Sequence, residues 1–219
     1  MKNEGSKGSL RERILGHAGP KFFEEGFSRI TTEELSRELG ISKKTLYREF
    51  SSKEEILREV VHRRLAEVDG ELTRIFDDES RSFIERIGAQ MQVAAKILNT
   101  LSKPFLSDLS RYQPGLWEEI QEFRRRRVFD RMEGIIRAGE EEGMVDTAID
   151  PKLLVRIIVT VADHLIVPEK MTEPGMNPQK VIQHIGILVG RGILTDYGRS
   201  RIEASGIIAG EGDCNDEIT

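Results

Sequence analysis

The chain has 219 residues, with 33 Lys and Arg against 38 Asp and Glu, giving a net charge of −5. At 38% hydrophobic and 32% charged residues and a mean hydropathy of −0.39 it reads as a globular chain rich in amphipathic helix. No apolar run approaches the roughly 18 residues of a membrane span. The opening residues 1–8 lack an apolar signal core. A single cysteine, Cys214, excludes an intrachain disulfide and a cysteine-based zinc cluster. A reducing cytoplasm is the expected setting. The charge is unevenly spread: residues 1–65 hold 14 basic and 11 acidic residues, an excess of three positive charges, and the remainder holds 19 and 27. A mildly basic head on an acidic body suits a head that meets a polyanion.

Ser9-Leu10-Arg11-Glu12 has capping-box spacing, so Glu12 is expected to reach back to the Ser9 backbone. Leu10, Ile14, Ala18 and Phe22 then form a helical stripe, and Gly26 is placed to end the helix in the left-handed conformation. Thr31 and Thr32 open a short second helix with Leu35 and Leu39 facing inward, stopped by Gly40. Ser42 is a natural N-cap for a third helix carrying Leu46 and Phe50. Ser51 and Ser52, followed by Glu54 and Glu55, start a fourth helix with Ile56, Leu57, Val60, Val61 and Leu65 inward.

The rest also reads as helical. A helix is expected near 83–101, and a short piece between Pro104 and Gln113-Pro114-Gly115. A long helix over 116–142 is closed by Gly143. Asp150-Pro151 and Asn177-Pro178 each pair an N-cap with proline at the first helical position, predicting helices over 151–167 and 178–195. Residues 169–176 form a turn-rich connector, and 206–219 a disordered tail.

Two short helices joined by Gly40-Ile41-Ser42 must cross steeply, as in a helix-turn-helix. On a helical wheel Leu46 and Phe50 share the inward face, and Lys44 and Arg48 lie at the centre of the opposite one. Thr45 and Tyr47 flank them, with Lys43 beside Tyr47. Such a face offers guanine O6 and N7 their donors, while hydroxyls and helix N-termini suit phosphates. A plain solvated face is the competing reading of these nine residues.

The surrounding pattern favours the first reading. Phe22-Phe23-Glu24-Glu25-Gly26-Phe27, Thr31-Thr32-Glu33-Glu34-Leu35-Ser36, Leu39-Gly40-Ile41-Ser42-Lys43-Lys44-Thr45-Leu46-Tyr47-Arg48-Glu49-Phe50 and Ser52-Lys53-Glu54-Glu55 resemble, in one register, the DNA-binding domain of TetR-type bacterial regulators. The sequence departs at Ser36 and Leu39, where that family more often has alanine. The resemblance implies an all-α fold with a helix-turn-helix domain over 1–65 and an effector-binding and dimerisation domain over 66–205. It also implies a homodimer on a pseudo-palindromic operator, with Ser42–Phe50 in the major groove. Lys43, Lys44, Thr45 and Arg48 are then the expected base readers, and Thr32, Ser42, Tyr47 and Lys53 the backbone contacts.

Met91, Leu98, Phe105, Trp117, Phe123, Phe129 and Met132 are candidates to line a cavity for a small apolar or amphipathic effector, although plain core has the same spacing. Leu154, Ile157, Ile158, Val161 and Leu165 on one helix, and Val181, Ile185, Leu188 and Val189 on the next, are the expected dimer interface, with Gly186 and Gly190 permitting close approach. The run Arg124–Arg127 spreads around its helix and reads as a solvated face, an anionic ligand or acidic partner being the alternative. His17, His62, His164 and His184 lack metal-ligand spacing, and no nucleophile elbow or phosphate loop occurs. No metal, cofactor or enzymatic activity is therefore expected. The alternative function is a helix-turn-helix adaptor controlled by a protein partner; a helical enzyme would need a nucleophile and base that the sequence does not display.

Overall fold

The computed structural model describes residues 9–167, 170, 176 and 178–206. Among them it forms ten helices: α1 (Leu10–Glu25), α2 (Thr32–Leu39), α3 (Lys43–Glu49), α4 (Lys53–Phe76), α5 (Phe83–Thr100), α6 (Lys103–Tyr112), α7 (Pro114–Glu141), α8 (Pro151–Leu165), α9 (Pro178–Ile193) and α10 (Asp196–Ser205). The segment before Ser9, most of the 169–176 connector, the Asn177 cap and the tail beyond residue 206 lie outside the described residues, as do the side chains of Leu98 and Phe129.

Helix starts follow the expected cap chemistry. Ser9, Thr31, Ser42 and Ser52 each accept a hydrogen bond from a first-turn backbone N–H, an arrangement worth about 1 kcal/mol per helix. The reciprocal half of the box is absent at all four. Glu12 accepts from Arg63 Nη1 at 2.6 Å rather than from Ser9. Glu55 accepts from the Ser51 N–H and hydroxyl, both at 2.6 Å. Only Ser82 with Glu85 completes a full box, among the described residues.

Gly26 ends α1 as expected but is not left-handed helical: its φ of 94° and ψ of 147° turn the chain outward. A Cβ there would stand 2.9 Å from Asp108 Oδ2 and 3.0 Å from Pro104 Cβ. The glycine therefore serves the docking of α6 on the end of α1. Asp108 is buried and accepts from the Ser28 N–H at 2.7 Å, and Ser102 N–H donates to Phe23 O at 2.9 Å.

Ile14, Phe22, Leu35, Leu46, Phe50 and Ile56 form the centre of the head core, which continues into Phe105, Leu109 and Leu116. Helix α4 runs unbroken past residue 65 to Phe76, so its first half belongs to the head and its second to the body. The body packs α4, α5 and α7 around Val68, Leu72, Ile75 and Val93. A second cluster joins Phe83, Ile135, Val145, Val155 and Ile202.

Helix α10 is unanticipated. Thr195 caps it by accepting from the Gly198 N–H at 3.0 Å, and donates its own hydroxyl to Gly143 O at 2.8 Å. A Cβ on Gly198 would lie 2.2 Å from Met144 O, so only glycine permits this contact. The arginine run divides by direction, as consecutive helical residues must. Arg124 pairs with Asp163 of α8, Arg125 and Arg126 with Glu122 in the same helix, and Arg127 with Asp69 of α4. For Arg124 and Arg127 the solvated-face expectation is replaced by ties between helices.

Candidate nucleic-acid interface

Helix α2 ends at Gly40, whose φ of 66° and ψ of 32° are left-handed, and the Ile41 N–H returns to Ser36 O at 2.9 Å. That reversal leaves room for one extended residue before Ser42 caps α3. Ser42 Oγ accepts from the Thr45 N–H at 3.0 Å and lies 2.9 Å from the Thr45 hydroxyl. Leu46 and Phe50 are buried, and the Arg11 guanidinium stacks 4.0 Å from the centre of the Phe50 ring. The reading face of α3 is thus fixed from beneath by packing and at its start by a cap.

On that face Lys44 is exposed without an ion pair among the described residues, and the Arg48 side chain is 71% exposed, 3.6 Å from Glu49. Lys43 is held by Glu33 of α2. The Tyr47 hydroxyl lies 3.2 Å from Thr32 Oγ1, with Thr32 itself largely buried. Thr31, Thr32, Tyr47, Ser51, Ser52 and Lys53 line one shallow groove beside α3, joined by Glu33 and Glu54. The N-termini of α2 and α4 both open into it, and helix N-termini attract phosphate. Thr31, Ser51 and Ser52 were readable in the sequence as caps, not as groove residues.

Lys53 is tied to the loop between α1 and α2. Its Nζ donates to Phe27 O and Ile30 O, each at 2.8 Å, and sits 4.2 Å from the Phe27 ring centre. Burial pushes its ammonium below the usual lysine range. Two of its three N–H groups are therefore committed to the α1–α2 loop.

Residues 21–60 match the family described as bacterial regulatory proteins, tetR family. Over those residues the head is similar to this regulatory family. The HTH-type transcriptional regulator YvaF of Bacillus subtilis is 28% identical over 114 residues, covering 52% of this chain and 60% of its own. The nucleoid occlusion factor SlmA of Vibrio cholerae is 36% identical over 69 residues, 32% of this chain and 35% of its own. The chain thus spans less than two thirds of the length of either relative. A transcriptional regulator from Saccharomonospora viridis, solved in complex with choline, shares the fold with a TM-score of 0.66 at 19% identity. That likeness covers 86% of this chain and all of the other. Head and all-helical body together thus share one fold with that structure.

Among the described residues, the expected effector side chains pack into different apolar clusters. Phe105 is buried in the head core, edge-on to Phe23 with ring centres 5.0 Å apart, and Trp117 packs on the same cluster. Phe123 packs against the Val68–Val93 cluster and Met132 against the Phe83–Ile135 cluster. Met91 approaches Gly186, where a Cβ would be 2.4 Å from its methyl group.

The expected dimer residues also divide. Leu154 and Val181 are buried in the chain's own core; Ile158, Leu165, Ile185 and Val189 pack partly against it. Gly186 gives close approach to Met91 of α5. Of the expected set only Ile157, Val161 and Leu188 are large exposed apolar side chains, joined by Leu153; Leu188 is 72% exposed.

Proposed function

We propose that the chain is a homodimeric repressor that binds a pseudo-palindromic operator and answers to a small molecule held in its body. The observation that carries this reading is α3: Lys44 and Arg48 stand unburied at the centre of one face while Leu46 anchors the other. Lys44 and Arg48 are the base readers, with Thr45 beside them; Lys43 joins when it exchanges Glu33 for DNA. Ser42, Tyr47 and the groove at the α2 and α4 N-termini hold the phosphates, with Thr32 supporting Tyr47. Lys53 has one N–H left for such a contact. The exposed apolar faces of α8 and α9 supply the dimer surface, and two heads on a dimer read two half-sites. The effector reading is supported by the choline complex of the structural neighbour.

Selection of bound duplexes from a random pool tests the proposal. It should return an inverted repeat, and recovery of no common site would overturn it. A thermal-shift screen tests the effector, because a ligand at a hundred times its Kd stabilises by about 2.7 kcal/mol. The second reading is an adaptor controlled by a protein partner. It predicts operator binding with no small-molecule response.

A further inference from the structure

The body contains a polar cluster that its own packing leaves incomplete. Asp69 of α4 faces Arg127 and Arg131 of α7, with Arg127 Nε 3.3 Å and Arg131 Nη2 3.7 Å from Asp69 Oδ1. That oxygen is sealed from solvent, yet neither guanidinium is aimed well enough to hydrogen-bond it. Arg131 Nη2 donates instead to Thr73 Oγ1 at 2.6 Å, and its guanidinium lies 5.3 Å from the Phe76 ring centre. Arg131 Nη1 is sealed as well and donates to nothing.

A third sealed, unpartnered atom, Gln90 Oε1, comes from α5. Phe83 meets α7 at Gly139, and Ile97 shares a cluster with Phe123. These two levels set α5 antiparallel to α7 and bring Gln90 opposite Arg131 along the bundle. Three helices therefore carry sealed polar atoms without a hydrogen-bond partner near one level of the body. Sealed polar groups normally find partners, and a cluster that lacks them costs stability unless something else completes it.

The charge identifies what would. Two guanidiniums meet one carboxylate there, so the described side chains leave an excess of one positive charge, partly out of water. A planar guanidinium with a free edge matches a carboxylate in both charge and shape. Phe76, against which the Arg131 guanidinium lies, belongs to the same apolar cluster as Leu72, Val93 and Phe123. Asp69 is the ligand-free counter-charge, held at ion-pair distance without a good hydrogen bond.

We propose that Arg131, assisted by Arg127, anchors the carboxylate of an amphipathic effector, which displaces Asp69. This rests on the effector reading above and gives that effector its chemical class. It also gives the response a route, because Asp69 lies on α4, which carries the head at its other end.

Three probes of equal chain length test it by calorimetric titration of the full chain: octanoate, 1-octanol and octyltrimethylammonium. Octanoate should bind at least tenfold tighter than either of the others. Arg131→Gln should remove that preference, Arg131→Lys should keep part of it, and Asp69→Asn should strengthen octanoate binding. Melting without ligand checks that each variant folds, and Arg131→Lys decides the matter if Arg131→Gln does not. Equal binding of octanol, unchanged in Arg131→Gln, overturns the carboxylate site and leaves the effector reading intact with a neutral ligand. Preference for the ammonium probe overturns it in favour of Asp69 as the anchor. Binding of none of the three also overturns it, and the effector reading is then decided separately by the broad thermal-shift screen.

Discussion

Two side chains on α3 are expected to carry sequence preference. Lys44→Ala and Arg48→Ala should each lose about 1–3 kcal/mol against the selected duplex and relax choice at particular base pairs. Binding measured on selected and random duplexes across a salt series checks this; unchanged affinity for both in folded variants would remove α3 as the reader. Lys53 behaves differently because its ammonium joins two loop carbonyls. Lys53→Met should lower the melting temperature of the head, where a purely phosphate-binding lysine would leave it unmoved. Lys44 and Arg48 were legible because a helix face is set by local spacing. The partners of Lys53 lie 23 and 26 residues earlier, which no local pattern reports. A titration is expected at Glu119, whose carboxyl is held below its usual range by hydrogen bonds from His62 and Arg58 of α4. Its stabilising contribution is present above the ordinary carboxylate pKa and is lost as pH falls through the lowered value. The melting difference between parent and Glu119→Gln should accordingly be present at neutral pH and disappear in acid, once the pH lies below the lowered value. A difference that persists in acid would show that this clasp between α4 and α7 is not ionic.

At the scale of elements, caps and stops were written plainly: Ser9, Thr31, Ser42 and Ser52 begin helices and Gly40 ends one. Helix α10 was hidden for a physical reason. Tyr197, Gly198 and Arg199 show no apolar stripe, and α10 is held by Thr195 and by the approach of Gly198 to Met144. Gly198→Ala should therefore cost about 1–3 kcal/mol, the range for forced backbone displacement or overpacking. Chemical denaturation would register it, and a parent-like midpoint would mean that α10 shifts freely. The arginine run teaches the same limit. Periodicity disperses its members around α7, but only the neighbouring helices decide that Arg124 meets Asp163 and Arg127 meets Asp69.

For the whole molecule, the uncertainty in the sequence lay in α8, which is apolar on two sides. Leu154, Val155 and Val159 enter the chain's own core, while Leu153, Ile157 and Val161 face out. Periodicity alone cannot rank two apolar faces; packing within the chain assigns Leu154 to the buried one. The double variant Ile157→Glu, Leu188→Glu should yield folded monomers with weakened operator binding in sedimentation experiments. An unchanged dimer would move the interface elsewhere. The uninterrupted α4 then sets the mechanical scale of any response. Its 24 residues amount to a rod about 36 Å long. A tilt of about 5° pivoting at Phe76 displaces the Ser52 end by about 3 Å, close to the rise of one base pair. In a symmetric pair the two displacements are mirrored, so heads matched to half-sites fall out of step by about two base pairs. Under the proposed dimer reading, the length of α4 multiplies a small shift beside Asp69 before it reaches the heads.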